Sequence, residues 1–189
     1  MIIDLFSRKV VGWEVWDCEK DVHAATLFER TTYKEKIKPG KLVLHSDNGP
    51  TMKAYTFRAK LEALGITTSY SRPRVSNDNP YAEAAFRTLK YCPQYPVHGF
   101  ESIEKARLWV SKFIQWYNFE HLHSGINFVT PNHAHTGEYK TILAHRKLVL
   151  EAAMATNPGR WSKKKIRNLE PHVQVALNPT REKAYEQIS

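Results

Sequence analysis

Two acidic residues, Asp47 and Glu83, stand in surroundings that suit chemistry better than those of the other acids in the chain. Asp47 falls within His45-Ser46-Asp47-Asn48-Gly49-Pro50, where the apolar run of residues 41–45 meets a cluster of turn formers. That junction predicts a carboxylate at the carboxyl end of a buried strand, a position where sites form in α/β proteins. Glu83 follows a polar stretch, residues 71–79, and the pair Asn79-Pro80. Asn79 as cap and Pro80 at the first helical position predict a helix with Glu83 in its first turns. Thirty-five residues separate the two acids. The chemistry they could share is oxygen ligation of a hard divalent cation. The competing explanation is a pair of solvated surface acids, and spacing alone does not choose between them.

Other residues near this pair have bland and functional readings side by side. His45, next to the end of the predicted strand, suits a packing or hydrogen-bonding role better than a ligand's. Asn48 and Asn79 could orient the carboxylates, although turn and cap chemistry explains both. Arg72, Arg74, Arg87 and Lys90 flank Glu83 where phosphate contacts would fall, and a solvated basic face would look the same. Glu83 and Arg87 are also an ordinary i, i+4 helix pair. Trp109, Phe113, Trp116 and Tyr117 recur at helical spacing and read as core or subunit-contact residues before base-stacking ones. His121, His123 and His133 match no metal-binding spacing.

The elements that must position these residues follow from the apolar pattern. Residues 2–6 and 10–16 predict two strands joined by a turn at Ser7-Arg8-Lys9. Residues 21–35 predict a helix with Ala24, Leu27 and Phe28 on one face, stopped by Pro39-Gly40. Residues 41–45 and 66–70 predict strands around a helix at 52–64 that carries Phe57, Leu61 and Leu64 and ends at Gly65. The Glu83 helix has an apolar stripe of Ala82, Phe86 and Leu89, and residues 102–118 predict a further helix burying Ile103, Ala106, Val110, Phe113 and Tyr117. Strands alternating with helices predict an α/β domain over the first ninety or so residues, followed by helices.

At 189 residues the chain suits one core with an extension rather than two full domains. It has 28 Lys and Arg against 19 Asp and Glu, a net charge of +9, and residues 140–167 hold eight of the bases with Glu151 as their single acid. Such a balance favours a polyanion, nucleic acid first. Cys18 and Cys92 are far apart, so neither a disulfide framework nor a zinc site is expected. Asp4 and Ser7 interrupt the first residues where a signal peptide needs an apolar run, and no segment approaches bilayer-spanning length. A soluble, cytoplasmic protein without a membrane partner is the expectation.

Ordered words sharpen this reading. Asp4-Leu5-Phe6-Ser7-Arg8-Lys9-Val10-Val11-Gly12-Trp13, His45-Ser46-Asp47-Asn48-Gly49, Ser69-Tyr70-Ser71-Arg72-Pro73, and Ser76-Asn77-Asp78-Asn79-Pro80-Tyr81-Ala82-Glu83 with Phe86-Arg87-Thr88-Leu89-Lys90 occur in that order. Trp116-Tyr117-Asn118, His121-Leu122-His123-Ser124-Gly125 and Thr130-Pro131 follow. Over residues 1–138 the chain resembles the DDE transposases of bacterial insertion sequences, which share the integrase core of retroviral integrases. One departure is His121, where the family usually carries Arg.

The resemblance implies an RNase H-like integrase core, a three-layer α/β fold with a mixed sheet, followed by helices and a basic C-terminal tail. It implies that Asp47 and Glu83 are two of three carboxylates that hold two Mg²⁺ ions for DNA strand cleavage and strand transfer. Two such ions can activate the attacking oxygen and stabilise the leaving oxygen of an in-line displacement at phosphorus. The family's first aspartate lies in a Trp-x-x-Asp-x-Thr motif on a strand before the Asp4 word; Asp4 is not that residue. The expectation is therefore a core lacking its first strand, holding Mg²⁺ weakly or as a single ion and inactive as written. The partners implied are DNA, as transposon ends and target, with a homo-oligomer or a full-length transposase subunit, in a bacterial, nucleoid-associated setting. The alternative is a non-catalytic remnant that binds DNA or another transposase subunit. The expected divisions are a partial catalytic core at 1–91, its helical C-terminal part at 92–138, and a basic extension at 139–189.

Overall fold

The computed structural model describes residues 1–72, 78–161, 165–170 and 174–177. Arg74, one of the expected phosphate contacts, lies outside them. Two units emerge: Met1–Ile3 with Val10–Phe113 and the described part of Ala176–Ser189, and Asp4–Lys9 with the described part of Ile114–Val175.

In the first unit, β1 (Ile2–Ile3) and β2 (Val10–Gly12) pair antiparallel, with Ile2 opposite Gly12. Both strands are shorter than the alternation suggested. All three residues of β2 are buried, because the helix α1 (Asp21–Lys34) lies against it. Gly12 allows that approach: a Cβ there would collide with Thr31 Oγ1 of α1 and come within 3.2 Å of Ile2 Cδ1. Thr31 in turn donates 2.7 Å to the carbonyl of Leu27, and Lys34 Nζ donates 3.2 Å to the carbonyl of Val11. The buried face of α1 carries Phe28 as expected, with Ala25 rather than Ala24 beside it.

The helix expected at 52–64 is two helices, α2 (Pro50–Lys53) and α3 (Tyr55–Ala63). Ala54 breaks them with an extended backbone, φ −59° and ψ 141°, and serves as the N-cap position of α3. The break lets α3 aim Phe57 and Leu61, both fully buried, into a core with Ala25, Phe28 and Ile66. Phe28 and Phe57 meet edge to face at 5.6 Å. Gly65 then closes the helix at φ +66°, packed so tightly on Pro39 and the Gly40 backbone that a Cβ would meet both near 3 Å.

β3 (Val43–Ser46) and β4 (Thr67–Tyr70) pair in parallel, Val43 opposite Thr67 and Ser46 opposite Tyr70. The α/β class is as expected, and both kinds of strand pairing occur. Among the described residues they form two separate two-stranded sheets rather than one continuous mixed sheet. The remaining helices of this unit are α4 (Pro80–Lys90) and the first part of α5 (Ile103–Phe119). α4 buries Ala85, while Phe86 of the expected stripe is 44% exposed. Trp109 of α5, half-buried, stacks on Phe113 at 5.6 Å and meets Tyr95 edge on, while Phe113 itself is buried.

In the second unit, α5 continues with Ile114 and Tyr117 buried. A turn over Asp4–Lys9 contains the expected Ser7-Arg8-Lys9 corner. Asp4 closes it by accepting from the Ser7 backbone N–H at 2.9 Å and from the Ser7 hydroxyl, and Arg8 takes a positive φ of 65°. α6 (Pro131–Thr136) starts on Thr130, whose hydroxyl accepts from His133 N–H at 3.2 Å, and stops at Gly137 with φ +89°. α7 (Tyr139–Thr156) was not anticipated. Its apolar residues Tyr139, Ile142, Leu143 and Leu150 pack with Phe6, Ile126, Val129, Ala134 and Leu169, but Lys140, Arg146 and Lys147 interrupt them in sequence. No helix among the described residues is long and apolar enough to cross a membrane.

Candidate metal-binding site

Asp47 occupies the first position after β3, exposed at its carboxyl end as the sequence predicts. One of its oxygens, Oδ1, accepts from the Gly49 backbone N–H at 3.1 Å, an Asx turn that orients the side chain locally. Glu83 sits in the first turn of α4, also exposed, and its backbone N–H donates to the Asn79 carbonyl at 3.3 Å. Negative charge is favoured at that end of a helix.

What ties these elements together is Asp78, which sequence reasoning passed over as part of a surface loop. Asp78 is 2% exposed. Its carboxylate accepts from Arg72 three times: from the backbone N–H at 2.8 Å, from Nε at 2.9 Å and from Nη2 at 2.9 Å. Its backbone carbonyl lies 2.9 Å from His45 Nε2. His45 Nδ1 lies 3.0 Å from the hydroxyl of Ser69, its partner across the parallel ladder. Because a carbonyl can only accept, Nε2 donates to Asp78, while Nδ1 and the Ser69 hydroxyl share the second bond. Both ring nitrogens of His45 are therefore engaged, in agreement with a hydrogen-bonding role.

Asn48 reinforces the same corner. Its side-chain amide donates to the Ser71 carbonyl, and the Ser71 N–H donates to the Ser46 carbonyl at 2.9 Å, extending the β3–β4 ladder by one step. Asn79 occupies the N-cap position of α4 but makes no side-chain cap bond, contrary to the sequence expectation. With φ −130° and ψ 48° its backbone departs from the extended geometry usual for a cap. The signal that could have found Asp78 was an Arg and an Asp bracketing a short polar loop, Arg72 and Asp78.

The basic candidates divide. Arg72 is committed to Asp78, which holds its guanidinium more firmly in the charged form, although most of the side chain is solvent-exposed. Arg87 lies with its guanidinium 5.7 Å from the centre of the Tyr91 ring, one turn further along α4, and Lys90 is exposed beside it. In the C-terminal basic stretch, Arg146 donates to the carbonyls of Asn127 and Phe128 at 3.0 and 2.9 Å, and Lys147 pairs with Glu170 at 3.1 Å. Those charges have structural partners that the composition did not reveal.

Carboxylate oxygens are the donors that Mg²⁺ prefers, and an ion of this kind commonly takes one or two of them and keeps several waters. Asp47 and Glu83 fit that donor chemistry for a single ion. Among the described residues no group of three or more His, Cys, Asp or Glu could hold a metal, so they do not by themselves supply a two-ion arrangement.

Two family profiles, both described as Integrase core domain, match residues 1–76 and 64–131. A transposase for insertion sequence element IS904 from Lactococcus lactis is 32% identical over 130 residues, 68% of this chain and 51% of that protein. Transposase InsF for insertion sequence IS3A of Escherichia coli is 28% identical over 69% of this chain and 45% of its own length. A Lactococcus lactis protein named an ATP-dependent protease is 27% identical over 74% of this chain and 47% of its length. The catalytic core of BIV integrase superposes with a TM-score of 0.47 at 23% identity, covering 68% of this chain and 78% of that one. The chain belongs to the integrase core family, and the relatives it matches include transposases of insertion sequences. It spans about half the length of the curated relatives it matches.

Proposed function

We propose that this chain acts in DNA transposition, as the part of a transposase that contributes Asp47 and Glu83 to Mg²⁺-dependent strand cleavage and strand transfer. The observation that carries the reading is the Asp78 junction, which links the strand end bearing Asp47 to the helix start bearing Glu83 inside the span that matches the integrase core. When bound, Mg²⁺ would neutralise charge on the phosphate and activate oxygen nucleophiles there. Asp47 and Glu83 would hold it, while Arg87 and Lys90 on the exposed side of α4 would receive the DNA backbone. Arg72 serves that surface as well, through whatever part of its guanidinium Asp78 leaves facing solvent. Arg74, just beyond it in sequence, belongs to the same proposed contact.

A strand-transfer assay on labelled duplex ends with Mg²⁺ tests this reading, comparing the chain with its Asp47→Asn and Glu83→Gln variants. Either substitution should abolish the Mg²⁺-dependent strand cleavage and transfer. Activity that survives both substitutions would overturn the assignment.

A further inference from the structure

We infer that Asp78 is the positioning residue of this site, setting where Glu83 stands relative to Asp47; the inference rests on the metal-site reading above. Asp78 bonds His45 of β3 and Arg72, two residues beyond β4, and stands two residues before the first residue of α4. Its carboxylate is buried, with both oxygens engaged by the Arg72 fork and one also by the Arg72 backbone. A bidentate pair of that kind fixes orientation as well as distance. Its carbonyl is fixed separately by His45, whose ring is anchored on Ser69.

The helix start depends on this arrangement because its own cap is idle. Asn79 makes no side-chain bond to the first turn of α4, so its side chain does not anchor the start of α4 to the rest of the fold. Asp78, one residue earlier, supplies that anchor through its bonds to His45 and Arg72. Glu83 follows five residues later on a rigid helix, and any slack at Asp78 is transmitted to its carboxylate. Metal ligands tolerate displacements of only about 0.5 Å. Asp47 is held on the other side by the same corner: Ser46 receives the Ser71 N–H, and Asn48 bonds the Ser71 carbonyl next to Arg72.

The test uses the full chain with Cys18→Ser and Cys92→Ser, spin-labelled at Lys53 on α2 and Ala84 on α4, both exposed. Pulsed dipolar spectroscopy reads the width of the distance distribution, and Mn²⁺ titration followed by its own resonance reads metal affinity. Asp78→Asn should broaden the distribution and weaken Mn²⁺ binding by about tenfold or more, of the order seen when groups that orient metal ligands are removed. Arg72→Lys keeps the charge but loses the fork, and should produce an intermediate effect on both. If Asp78→Asn does not fold, Arg72→Lys decides the matter. Unchanged width together with unchanged Mn²⁺ affinity in the folded variants would overturn the inference. If Asp47→Asn leaves Mn²⁺ affinity unaltered, the metal reading fails, while the distance widths still judge the role of Asp78.

Discussion

Acidification should destabilise the unit built on Asp4–Lys9 and Ile114–Val175 chiefly through one histidine, His123. Burial of its ring, with neighbouring His121 and Arg8 adding to the effect, lowers its pKa from the ordinary 6.5 to about 4. Tyr117 meets the ring edge on, and Nδ1 accepts from the Gly125 backbone N–H at 3.1 Å, so the neutral form is the one the fold uses. In the unfolded chain the same ring takes up a proton as the pH falls below 6.5, while in the folded protein it stays neutral until about pH 4. The unfolded state therefore binds more protons in that window, and stability is lost as pH falls through it. Above pH 6.5 the effect is constant. At about 1.4 kcal/mol per unit the full shift would amount to about 3 kcal/mol, and partial exposure of the ring reduces this to about 1–2 kcal/mol. His121, also lowered by burial, acts in the same direction. Urea unfolding followed by tryptophan fluorescence at a series of pH values should show this loss. His123→Asn keeps a side-chain acceptor for the Gly125 N–H but does not titrate, and should flatten the profile. A wild-type stability that is level between about pH 7 and 5, or an equal slope in the variant, would refute the reasoning.

Three further outcomes follow from the packing and the charges. Gly12→Ala forces a methyl group onto Thr31 of α1 and should cost about 1–3 kcal/mol in thermal or urea unfolding, whereas the same change at Gly159, which faces open space, should not. Phe57→Ala empties the fully buried centre of the first core and should cost about 3–5 kcal/mol by the same measurement. Arg87→Gln with Lys90→Gln should weaken duplex DNA binding in a filter titration and reduce the slope of log affinity against log salt by about 1–2; an unchanged slope would remove them from the proposed interface.

Much of this was legible in the residues because local rules and the fold agree. The α1 boundaries, the Gly65 stop, Pro80 at the first position of α4 and Asp47 at the end of β3 all follow from turn formers beside apolar runs. The failures have particular causes. Residues 52–64 read as one helix because their periodicity is continuous, and the break at Ala54 comes from how Phe57 and Leu61 must aim to meet Phe28. α7 is hidden by its bases: their charge suggests a solvated tail, whereas Arg146 bonds the carbonyls of Asn127 and Phe128, two residues at positive φ. Of the candidate site, the exposure of Asp47 at a strand end and the hydrogen-bonding role of His45 are legible, but Asp78 is not: a loop acid reveals nothing of its burial until Arg72 folds onto it. Asn79 shows the converse, a suitable cap residue in the cap position that makes no cap bond.

Whether Asp47 and Glu83 bind one ion together is read most directly by a Mn²⁺ titration of the full chain with Asp47→Asn, Glu83→Gln and both changes. Shared ligation predicts that each single substitution lowers affinity about tenfold or more and that the double substitution adds little beyond either, since ligands of one ion are coupled. Full Mn²⁺ affinity in both single variants would contradict it.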